Sequence, residues 1–506
     1  MPRKESVFEL YHKETKYSEE GLRLRQRTID ASKQPPQFKE YHSESRVNLT
    51  PYLPFPKNPF TGQPMRAAEQ KGPRPFGLPE ISRLLYFSNG VTGIVHYAAE
   101  MSRILRAAPS AGALYPTEIY AATREVPGLP DGLWSYLVRD HCLIPLWEGD
   151  FWQELLQYTF DHEAVRESRV VLLLSGLYQR SEWRYEERAY RRILLDTGHV
   201  LGNVCLAARR DGFAPYPIGG FVDDAMGGLL FLDEKEEVIL AAVALPDRDS
   251  HRPEAIRQPS ALPSPPRLAD SVPGDAGCMR QLHRAGRIAS AADRAERPAA
   301  APLQSDFAGA GLPFAGAPLD LVPPLQELIL KRRSTRTYSG AALPSGEVAT
   351  ILATAFRETL ETSFERRLYF APELLSTYLV ATAIDGVPPG VYRYLPATQE
   401  LLEIRRGQFR QQVWHFSLTQ ELGRDAAATV IQTADTDEAI AAYGDRAYRY
   451  LHLDAGHIGQ SLNLAAVALG RGVSGIGGYF DDEINGLLDL PFRKIVVYVT
   501  TLGVPA

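Results

Sequence analysis

Three arginines lie within five residues of one another, and they form the cluster in this chain best suited to bind an anionic group. The motif is Arg332-Arg333-Ser334-Thr335-Arg336, directly after the apolar stretch 328–330. Guanidinium groups match phosphate oxygens with paired hydrogen bonds, and a serine hydroxyl can add another. The cluster is a candidate cradle for a phosphorylated cofactor; a solvated run of charge is the alternative.

Two loops of small residues could let the backbone approach a flat ring. One is Pro109-Ser110-Ala111-Gly112, in which Ser110 offers a hydrogen bond, and the other contains Gly477-Gly478, whose amides could face a ring nitrogen. Both uses rely on the absence of bulky side chains close to the backbone. Ordinary turns between elements are the alternative for both loops.

Tyr185 is the main candidate for proton transfer. It follows Arg184, and Tyr443 stands 258 residues later at the equivalent place of a second segment. A tyrosine can donate or relay a proton, whereas an arginine can orient an anion but stays protonated and is a poor base. We therefore expect Tyr185 to carry the proton, with Arg184 assisting and Tyr443 as the symmetry-related second choice.

The elements that position these residues occur twice. Arg188-Ala189-Tyr190-Arg191 recurs as Arg446-Ala447-Tyr448-Arg449, and twenty of the forty-three positions from 188 to 230 are identical to those 258 residues later. A period of this length indicates a duplicated domain, and two fused copies usually form a pseudo-symmetric dimer. In both copies the matched segment begins with helical periodicity, and Gly212 and Gly470 supply the stop.

We predict an α+β fold with two tandem domains paired within the chain. Apolar runs at 170–174 and 238–245 predict strands, and a short helix is predicted near 19–31. The predicted divisions are an extended arm at 1–80, a first domain at 81–246, a linker rich in Pro and Ala at 247–320, and a second domain at 321–506. The composition of the linker suits a flexible connection.

Composition narrows the partners and the compartment. A net charge of −6 without a long basic run argues against nucleic acid or an anionic membrane surface as the main partner. Three widely spaced cysteines and no signal segment predict a cytoplasmic protein. We predict no metal site, because Asp223-Asp224 and Asp481-Asp482 have no second ligand cluster and are better explained as helix N-caps. His199 and His457 are interpreted as packing or hydrogen-bonding residues.

Taken together, the motifs resemble those of the nitroreductase-like flavoproteins, and within them the SagB-type dehydrogenase branch, which oxidises azolines to azoles in modified peptides. The Arg-Arg-Ser-Thr-Arg motif looks like the phosphate and ribityl motif of the family, and the segment 109–116, Pro-Ser-Ala-Gly-Ala-Leu-Tyr-Pro, looks like a signature of the branch. The arm segment 11–17 looks like the N-terminal stretch of the branch. The resemblance implies FMN at a dimer interface, with the arginine motif and glycine loop from one protomer and the Pro-Ser loop from the other.

That division predicts one complete FMN site for each chain. The second copy holds the arginine motif but reads Leu368-Tyr369-Phe370-Ala371-Pro372 in place of the Pro-Ser loop, and the first copy reads 85–90, Leu-Tyr-Phe-Ser-Asn-Gly, in place of the arginine motif. Pairing the intact pieces gives one composite site, and we expect the other to be vestigial. Arg184 departs from the branch, whose members use a Lys-Tyr pair.

The resemblance implies an FMN-dependent oxidoreductase that dehydrogenates an azoline-like ring or a related C–N bond of a peptide or carrier-bound intermediate. NAD(P)H-dependent reduction of nitro compounds or quinones is the alternative, since one fold supports several reactions. A third hypothesis is a non-catalytic scaffold that recruits a biosynthetic partner enzyme. Complementary losses that leave one full site favour an enzyme over a scaffold.

Overall fold

The computed structural model describes residues 4–24, 28–41, 43–55, 77–98, 101–246, 258–271, 277–293, 311–360, 368–491 and 493–506. These residues form two domains, each built on a seven-stranded sheet with helices packed against it. The predicted α+β fold with two tandem domains is confirmed. No helix in these ranges is long and apolar enough to cross a membrane.

The two sheets have the same strand order. The first is β1-β6-β5-β4-β7-β9-β8 and the second is β10-β13-β12-β11-β14-β16-β15, with all neighbouring strands antiparallel. The strands of the first half are β1 Val47–Asn48, the hairpin β2 Val91–Ala98 and β3 Met101–Arg106, β4 Thr117–Thr123, β5 Gly132–Leu137, β6 Cys142–Glu148, β7 Ser168–Leu177, β8 Tyr216–Ile218 and β9 Glu237–Pro246. Those of the second half are β10 Leu312–Pro313, β11 Leu375–Ala381, β12 Gly390–Leu395, β13 Glu400–Arg406, β14 Ala428–Asp435, β15 Gly472–Ile476 and β16 Lys494–Gly503.

Sixteen helices accompany the strands in the described ranges. In the arm and first domain they are α1 Val7–Glu14, α2 Glu19–Leu24, α3 Leu78–Asn89, α4 Trp152–Tyr158, α5 Glu163–Arg166, α6 Tyr178–Tyr185, α7 Ala189–Arg210 and α8 Asp223–Gly228. After them come α9 Cys278–Ala285, α10 Leu325–Lys331, α11 Ser345–Phe356, α12 Arg410–Phe416, α13 Glu421–Asp425, α14 Thr436–Tyr443, α15 Ala447–Ala468 and α16 Asp481–Leu487.

Helices α7 and α15 pair the two halves. Each has 22 residues, and almost all of them are buried, because each helix faces its own sheet and also the other helix. The helices lie very close together at Gly198 and Gly456, where a Cβ on either glycine would collide with the backbone of the other helix. Gly212 and Gly470 follow the helix ends with φ of +88° and +69°, so the predicted helix and stop are confirmed in both copies.

The arm and the segment between the domains both pack onto the two halves. Strand β1, from the arm, pairs with β6, and β10, from the predicted linker, pairs with β13. Within the described part of that linker, helix α9 buries Met279, Leu282 and Ala285, which recur at helical spacing. The average composition of residues 247–320, on which the prediction of a flexible linker rested, does not show an apolar helix face as short as this one.

Two local expectations differ from the structure. The helix predicted near 19–31 is seen over Glu19–Leu24, residues 25–27 lie outside the described residues, and a separate 3-10 turn starts after Asp30, whose carboxylate accepts a hydrogen bond from the Ser32 amide. The stretch 85–90 does not stand where the arginine motif belongs, because it lies in and just after α3, which packs against α7 as α11 packs against α15. The segment before α3, at 56–76, lies outside the described residues.

Candidate functional site

The arginine motif of the second half lies directly on the first half. Arg332 is only 3% exposed; its Nε donates to the Ala107 carbonyl oxygen (2.9 Å) and its Nη2 to that of Arg106 (3.2 Å). Its Nη1 is buried without a hydrogen-bond partner in the described residues. Burial lowers the pKa of Arg332 to about 10, but the side chain stays protonated near neutral pH. A buried cation with one unused donor therefore stands at the junction of the two copies.

The rest of the motif points outward or along the same junction. Arg333 is exposed and donates to the backbone oxygens of Leu330 (3.0 Å) and of Thr92 in the first half (3.1 Å). Ser334 is partly buried and Arg336 is exposed. Neither of these two forms a hydrogen bond or ion pair with another described residue, so both keep their hydrogen-bonding capacity for a ligand.

The glycine loop is tied to the arginine motif through β15. The Thr335 amide donates to the Val473 carbonyl oxygen (2.9 Å), and the Val473 amide donates to the Thr335 hydroxyl (3.1 Å). Strand β15 then leads directly into Gly477 and Gly478, which are both partly buried. The second half thus presents its arginines and its glycine loop from adjacent segments.

The Pro-Ser loop of the first half is held by a buried carboxyl group. The Ser110 hydroxyl donates to Asp196 Oδ2 (2.5 Å), and the Ala111 amide lies 3.2 Å from both oxygens of that carboxyl. Burial raises the pKa of Asp196 to about 7, against the opposing effect of those hydrogen bonds. Pro109 is partly buried, and Gly112 is exposed with a φ of +67°, which favours glycine.

Tyr185 stands beside this loop. A Cβ on Gly112 would lie 2.8 Å from the Tyr185 hydroxyl and 3.4 Å from Arg184 Cδ, so the missing side chain leaves room for both. Tyr185 is partly buried at the end of α6, and Arg184 is exposed with its Cζ 5.7 Å from the tyrosine ring centre. The predicted catalytic pair and the predicted Pro-Ser loop are therefore neighbours.

Arg192 is a site residue that the motif analysis missed. It is 5% exposed on α7, its Cζ lies 3.7 Å from the ring centre of Tyr185, and its Nη1 occupies the space that a side chain on Gly477 would take. It links the glycine loop of the second half with the tyrosine of the first. The repeat itself contained a signal, because position 192 is arginine in one copy and Tyr450 in the other.

The equivalent region of the other half is filled by aromatic rings. Phe370 and Tyr450 stack with ring centres 5.2 Å apart, and a Cβ on Gly219 would lie 2.5 Å from Tyr450 and 2.9 Å from Phe370. The Leu262 side chain, from the segment between the domains, occupies the space that a side chain on Gly220 would take. The Leu262 backbone oxygen lies 2.8 Å from the Tyr450 hydroxyl. Tyr443 is fully buried here, with its hydroxyl 3.5 Å from the Phe370 carbonyl oxygen.

The aspartates that follow the two glycine loops make ion pairs across the halves. The predicted N-capping is wrong, because Asp223 and Asp481 occupy the first helical position and neither helix has a side-chain cap. Burial alone would raise the pKa of Asp223, but the arginines outweigh it and lower it to about 2. The pairs are Asp481 with Arg188 (2.8 Å) and Arg191 (2.7 Å), and Asp223 with Arg446 (2.6 Å) and Arg449 (2.8 Å).

The repeated histidines belong to the interface, as predicted. His199 lies 3.0 Å from Gln460 Oε1 and 2.9 Å from the Tyr498 hydroxyl, both in the other half, and His457 stacks on Tyr369 at 4.2 Å. Burial lowers the pKa of both histidines to about 3, so they are neutral near pH 7. Their contacts account for their recurrence.

Two α+β halves that share an arginine-lined site at a pseudo-twofold junction define a fused, dimer-like class of protein. The nitroreductase family model matches residues 93–245 and 329–504, so the chain belongs to the nitroreductase family, whose members are oxidoreductases and typically depend on flavin.

Three proteins illustrate which members of the nitroreductase family this chain is similar to. A crystal structure of a nitroreductase-family protein from Anabaena variabilis superposes with a TM-score of 0.86 and 38% identity, over 99% of this chain and 100% of that one. The protein MJ1384 of Methanocaldococcus jannaschii, which carries a nitroreductase name, is 30% identical over 33% of this chain and 84% of its own. The trifolitoxin-processing protein TfxB of Rhizobium leguminosarum bv. trifolii is 26% identical over 42% of this chain and 59% of its own.

Proposed function

We propose that this chain is an FMN-dependent oxidoreductase of the SagB-type dehydrogenase kind, with one FMN in the composite site. The observation that carries the proposal is the position of Arg332, which is buried on the backbone of Arg106 and Ala107 with its Nη1 unused. A buried cation with an unused donor suits an anionic ligand, since an unsatisfied charged donor is costly in a protein interior.

The residues of the site fit a phosphorylated flavin. Arg332, Ser334 and Arg336 would bind the phosphate and ribityl oxygens, with Arg333 at the outer edge. The loops around Ser110 and Gly477 would lie against the ring, because both bring backbone amides close without bulky side chains. The remaining loop positions are Pro109, Ala111, Gly112 and Gly478.

FMN, when bound, supplies an acceptor for the hydride that leaves the substrate. The protein has to orient the substrate and move the accompanying proton. Tyr185 is the group we assign to that proton, since its hydroxyl lies beside Gly112 in the same site. Arg184 is exposed at the same place and would orient a polar or anionic part of the substrate.

The substrate we propose is an azoline-like ring or a related C–N bond in a peptide or carrier-bound intermediate. Support comes from the Pro-Ser-Ala-Gly segment at 109–112 and from the similarity to TfxB, whose name describes processing of trifolitoxin. This chain spans 59% of TfxB, so the extension to a peptide substrate and to partner enzymes is part of the proposal.

Flavin content is the first test. The purified full chain is mixed with FMN and freed of excess, and the flavin released on denaturation is measured for each chain by absorbance. We expect one FMN per chain. Two would mean that the aromatic-filled half also binds flavin, and none after reconstitution would contradict the proposal.

A second test separates the two tyrosine candidates. Tyr185→Phe removes the hydroxyl beside the Pro-Ser loop, and Tyr443→Phe removes its counterpart in the aromatic-filled half. We expect Tyr185→Phe to lower kcat for azoline oxidation by about 10²–10⁴-fold, the usual contribution of a proton-transfer group, while FMN content is kept. An equal loss in Tyr443→Phe alone would move the catalytic role to the other half.

Reduction of nitro compounds or quinones with NAD(P)H is the second candidate. It is favoured by the similarity to MJ1384, which carries a nitroreductase name and is covered over 84% of its length. Rapid bleaching of the flavin absorbance by NADPH, followed by reoxidation with a nitroarene, would support this reaction. Slow bleaching by NADPH together with oxidation of a thiazoline-containing peptide would support the dehydrogenase.

A further inference from the structure

Position 192 of α7 is where the internal symmetry breaks inside the site. The flanking residues Arg191 and Asp196 have identical counterparts 258 residues later, whereas Arg192 corresponds to Tyr450. In the aromatic-filled half, the ring of Tyr450 stacks on Phe370 and covers the glycine loop. In the other half a guanidinium takes the place of that ring.

The contacts of Arg192 join the two parts of the composite site. Its guanidinium covers the ring of Tyr185 at 3.7 Å, and its Nη1 fits where Gly477 lacks a side chain. Its Nη2 reaches the Tyr17 hydroxyl of the arm at 3.5 Å, the outer limit of a hydrogen bond. Arginine stacks on aromatic faces in this way through its planar group.

The charge of Arg192 is poorly compensated within the protein. The side chain is 5% exposed, its Nε is buried without a hydrogen-bond partner, and it forms no ion pair in the part of the chain that the structure describes. The Asp196 carboxyl group, whose pKa the charge of Arg192 lowers against the larger effect of burial, is already bonded to Ser110 and Ala111. Burying a cation without a counter-charge is costly, and an anionic group of a ligand beside Arg192 would offset that cost.

We propose that Arg192 is a positioning residue of the flavin site: it holds the ring of Tyr185 beside Gly112 and places a fixed positive charge next to Gly477, which favours the reduced, anionic form of the bound flavin. The inference rests on the proposed function. It assigns to one residue the difference between a charged site and its aromatic-filled counterpart, and it predicts an effect on the reduction potential that loss of packing alone would not produce.

The test uses the full chain loaded with FMN, in the wild type, Arg192→Gln and Arg192→Lys. Arg210→Gln is the matched control, since it removes one positive charge from the same helix about 27 Å further along at roughly 1.5 Å per residue. The midpoint potential is measured with a reference dye, and FMN affinity is measured by fluorescence titration. Thermal unfolding checks that each variant is folded.

We expect Arg192→Gln to shift the balance between oxidised and reduced flavin at least tenfold toward the oxidised form, which is a fall of about 30 mV for a two-electron couple. Arg192→Lys should stay within about threefold of the wild type because it keeps the charge, and Arg210→Gln should match the wild type. If Arg192→Gln folds but binds no FMN while Arg192→Lys binds it, the need for the charge is also supported.

Two results would overturn the inference. One is a potential in Arg192→Gln equal to that of Arg210→Gln; the other is an equal shift in Arg192→Gln and Arg192→Lys, which would assign the effect to shape and not to charge. If Arg192→Gln does not fold, Arg192→Met, which is also uncharged, replaces it in the same comparison: a tenfold fall there with Arg192→Lys unchanged supports the role of the charge, and equal potentials in all variants contradict it. Failure of the wild type to bind FMN would instead reject the proposed function itself.

Discussion

The two halves of this chain share a scaffold but not a site. Both have the same strand order, a 22-residue helix at the pseudo-twofold junction, and an aspartate after the glycine loop that pairs with two arginines of the other half. At the junction they differ, because the first half-site holds the buried arginines Arg332 and Arg192, whereas Phe370 and Tyr450 stack in the second. Duplication kept what packing requires and allowed change where only a ligand imposes the residue type.

The helix pair that the two halves share depends on very short distances between the two backbones. Gly198 and Gly456 each lie so close to the opposite helix that any side chain would collide with its backbone. Close packing of this kind tolerates little change in volume. A ligand site has no such mutual constraint, so one of the two could lose its polar residues once the other sufficed.

The largest expected effect tests the shared scaffold. Asp481→Asn leaves Arg188 and Arg191 buried without a counter-charge, which should lower the free energy of unfolding by about 3–5 kcal/mol. Asp223→Asn should cost a similar amount, because its two arginine partners are equally buried. Urea unfolding of both variants measures this. A loss below about 1 kcal/mol in either variant would mean that the cross-paired charges do not hold the halves together.

A pH-dependent effect tests the Pro-Ser loop of the first half. Burial raises the pKa of Asp196 to about 7, so the folded chain keeps a proton that the unfolded chain releases above about pH 4. The free energy of unfolding should therefore fall as the pH rises from about 4 to about 7, by up to about 1.4 kcal/mol per pH unit, and stay level above that. Asp196→Asn removes this term.

Denaturant unfolding of wild type and Asp196→Asn across that pH range isolates the contribution of the carboxyl group. The difference between the two proteins should decline toward pH 7 and then become constant. A difference that does not change with pH would mean that Asp196 is ionised in the folded chain throughout, with the hydrogen bonds from Ser110 and Ala111 outweighing burial.

The third prediction concerns the arginine motif. Arg332→Ala should weaken FMN binding by about 2–3 kcal/mol, or about 30- to 150-fold, because in the proposed site it would remove charge-assisted hydrogen bonds to the phosphorylated ligand. Fluorescence titration measures the affinity. Lys331→Ala is a matched control, since Lys331 is exposed next to the motif and pairs only with Glu327 in the described residues. Equal affinities in the two variants would place the phosphate elsewhere.

The repeat made most of this architecture readable from the sequence. The strands at 170–174 and 238–245, the paired helices and their glycine stops followed from local periodicity and from the 258-residue offset. The cross-paired aspartates were misread because an acidic residue at a helix start has a local explanation, whereas its arginine partners lie in the other half. Long-range pairing leaves no local pattern.

The motifs of the candidate site could be predicted from the sequence, but the residue that links them, Arg192, could not. The arginine, Pro-Ser and glycine segments stand out by composition, whereas Arg192 is one of several charged residues of α7 and directly follows Arg191. Only its mismatch with Tyr450 marks it. The position of 85–90 was misassigned because sequence similarity between the copies is strong from 188 to 230 and gives no register for the segments before it.

The smallest expected effect on the free energy of unfolding concerns Glu186, the residue after Tyr185. Glu186 has a φ of +50° and ψ of −140°, and its counterpart Gly444 has a φ of +61° and ψ of −152°. That conformation suits glycine, so the glutamate adds strain of about 1–3 kcal/mol to the first half. Glu186→Gly should raise the free energy of unfolding by about 1 kcal/mol after the entropy cost of glycine, and Gly444→Ala should lower it.

Urea unfolding of the two variants checks these signs. Gly444→Ala should lower the free energy of unfolding for two reasons, because its side chain would also collide with the Ser264 backbone oxygen. No gain in Glu186→Gly would mean that contacts of the glutamate side chain offset the strain. A gain accompanied by lower turnover at unchanged FMN content would show that the strained backbone contributes to the position of Tyr185, and that the two halves diverged in backbone energetics as well as in side chains.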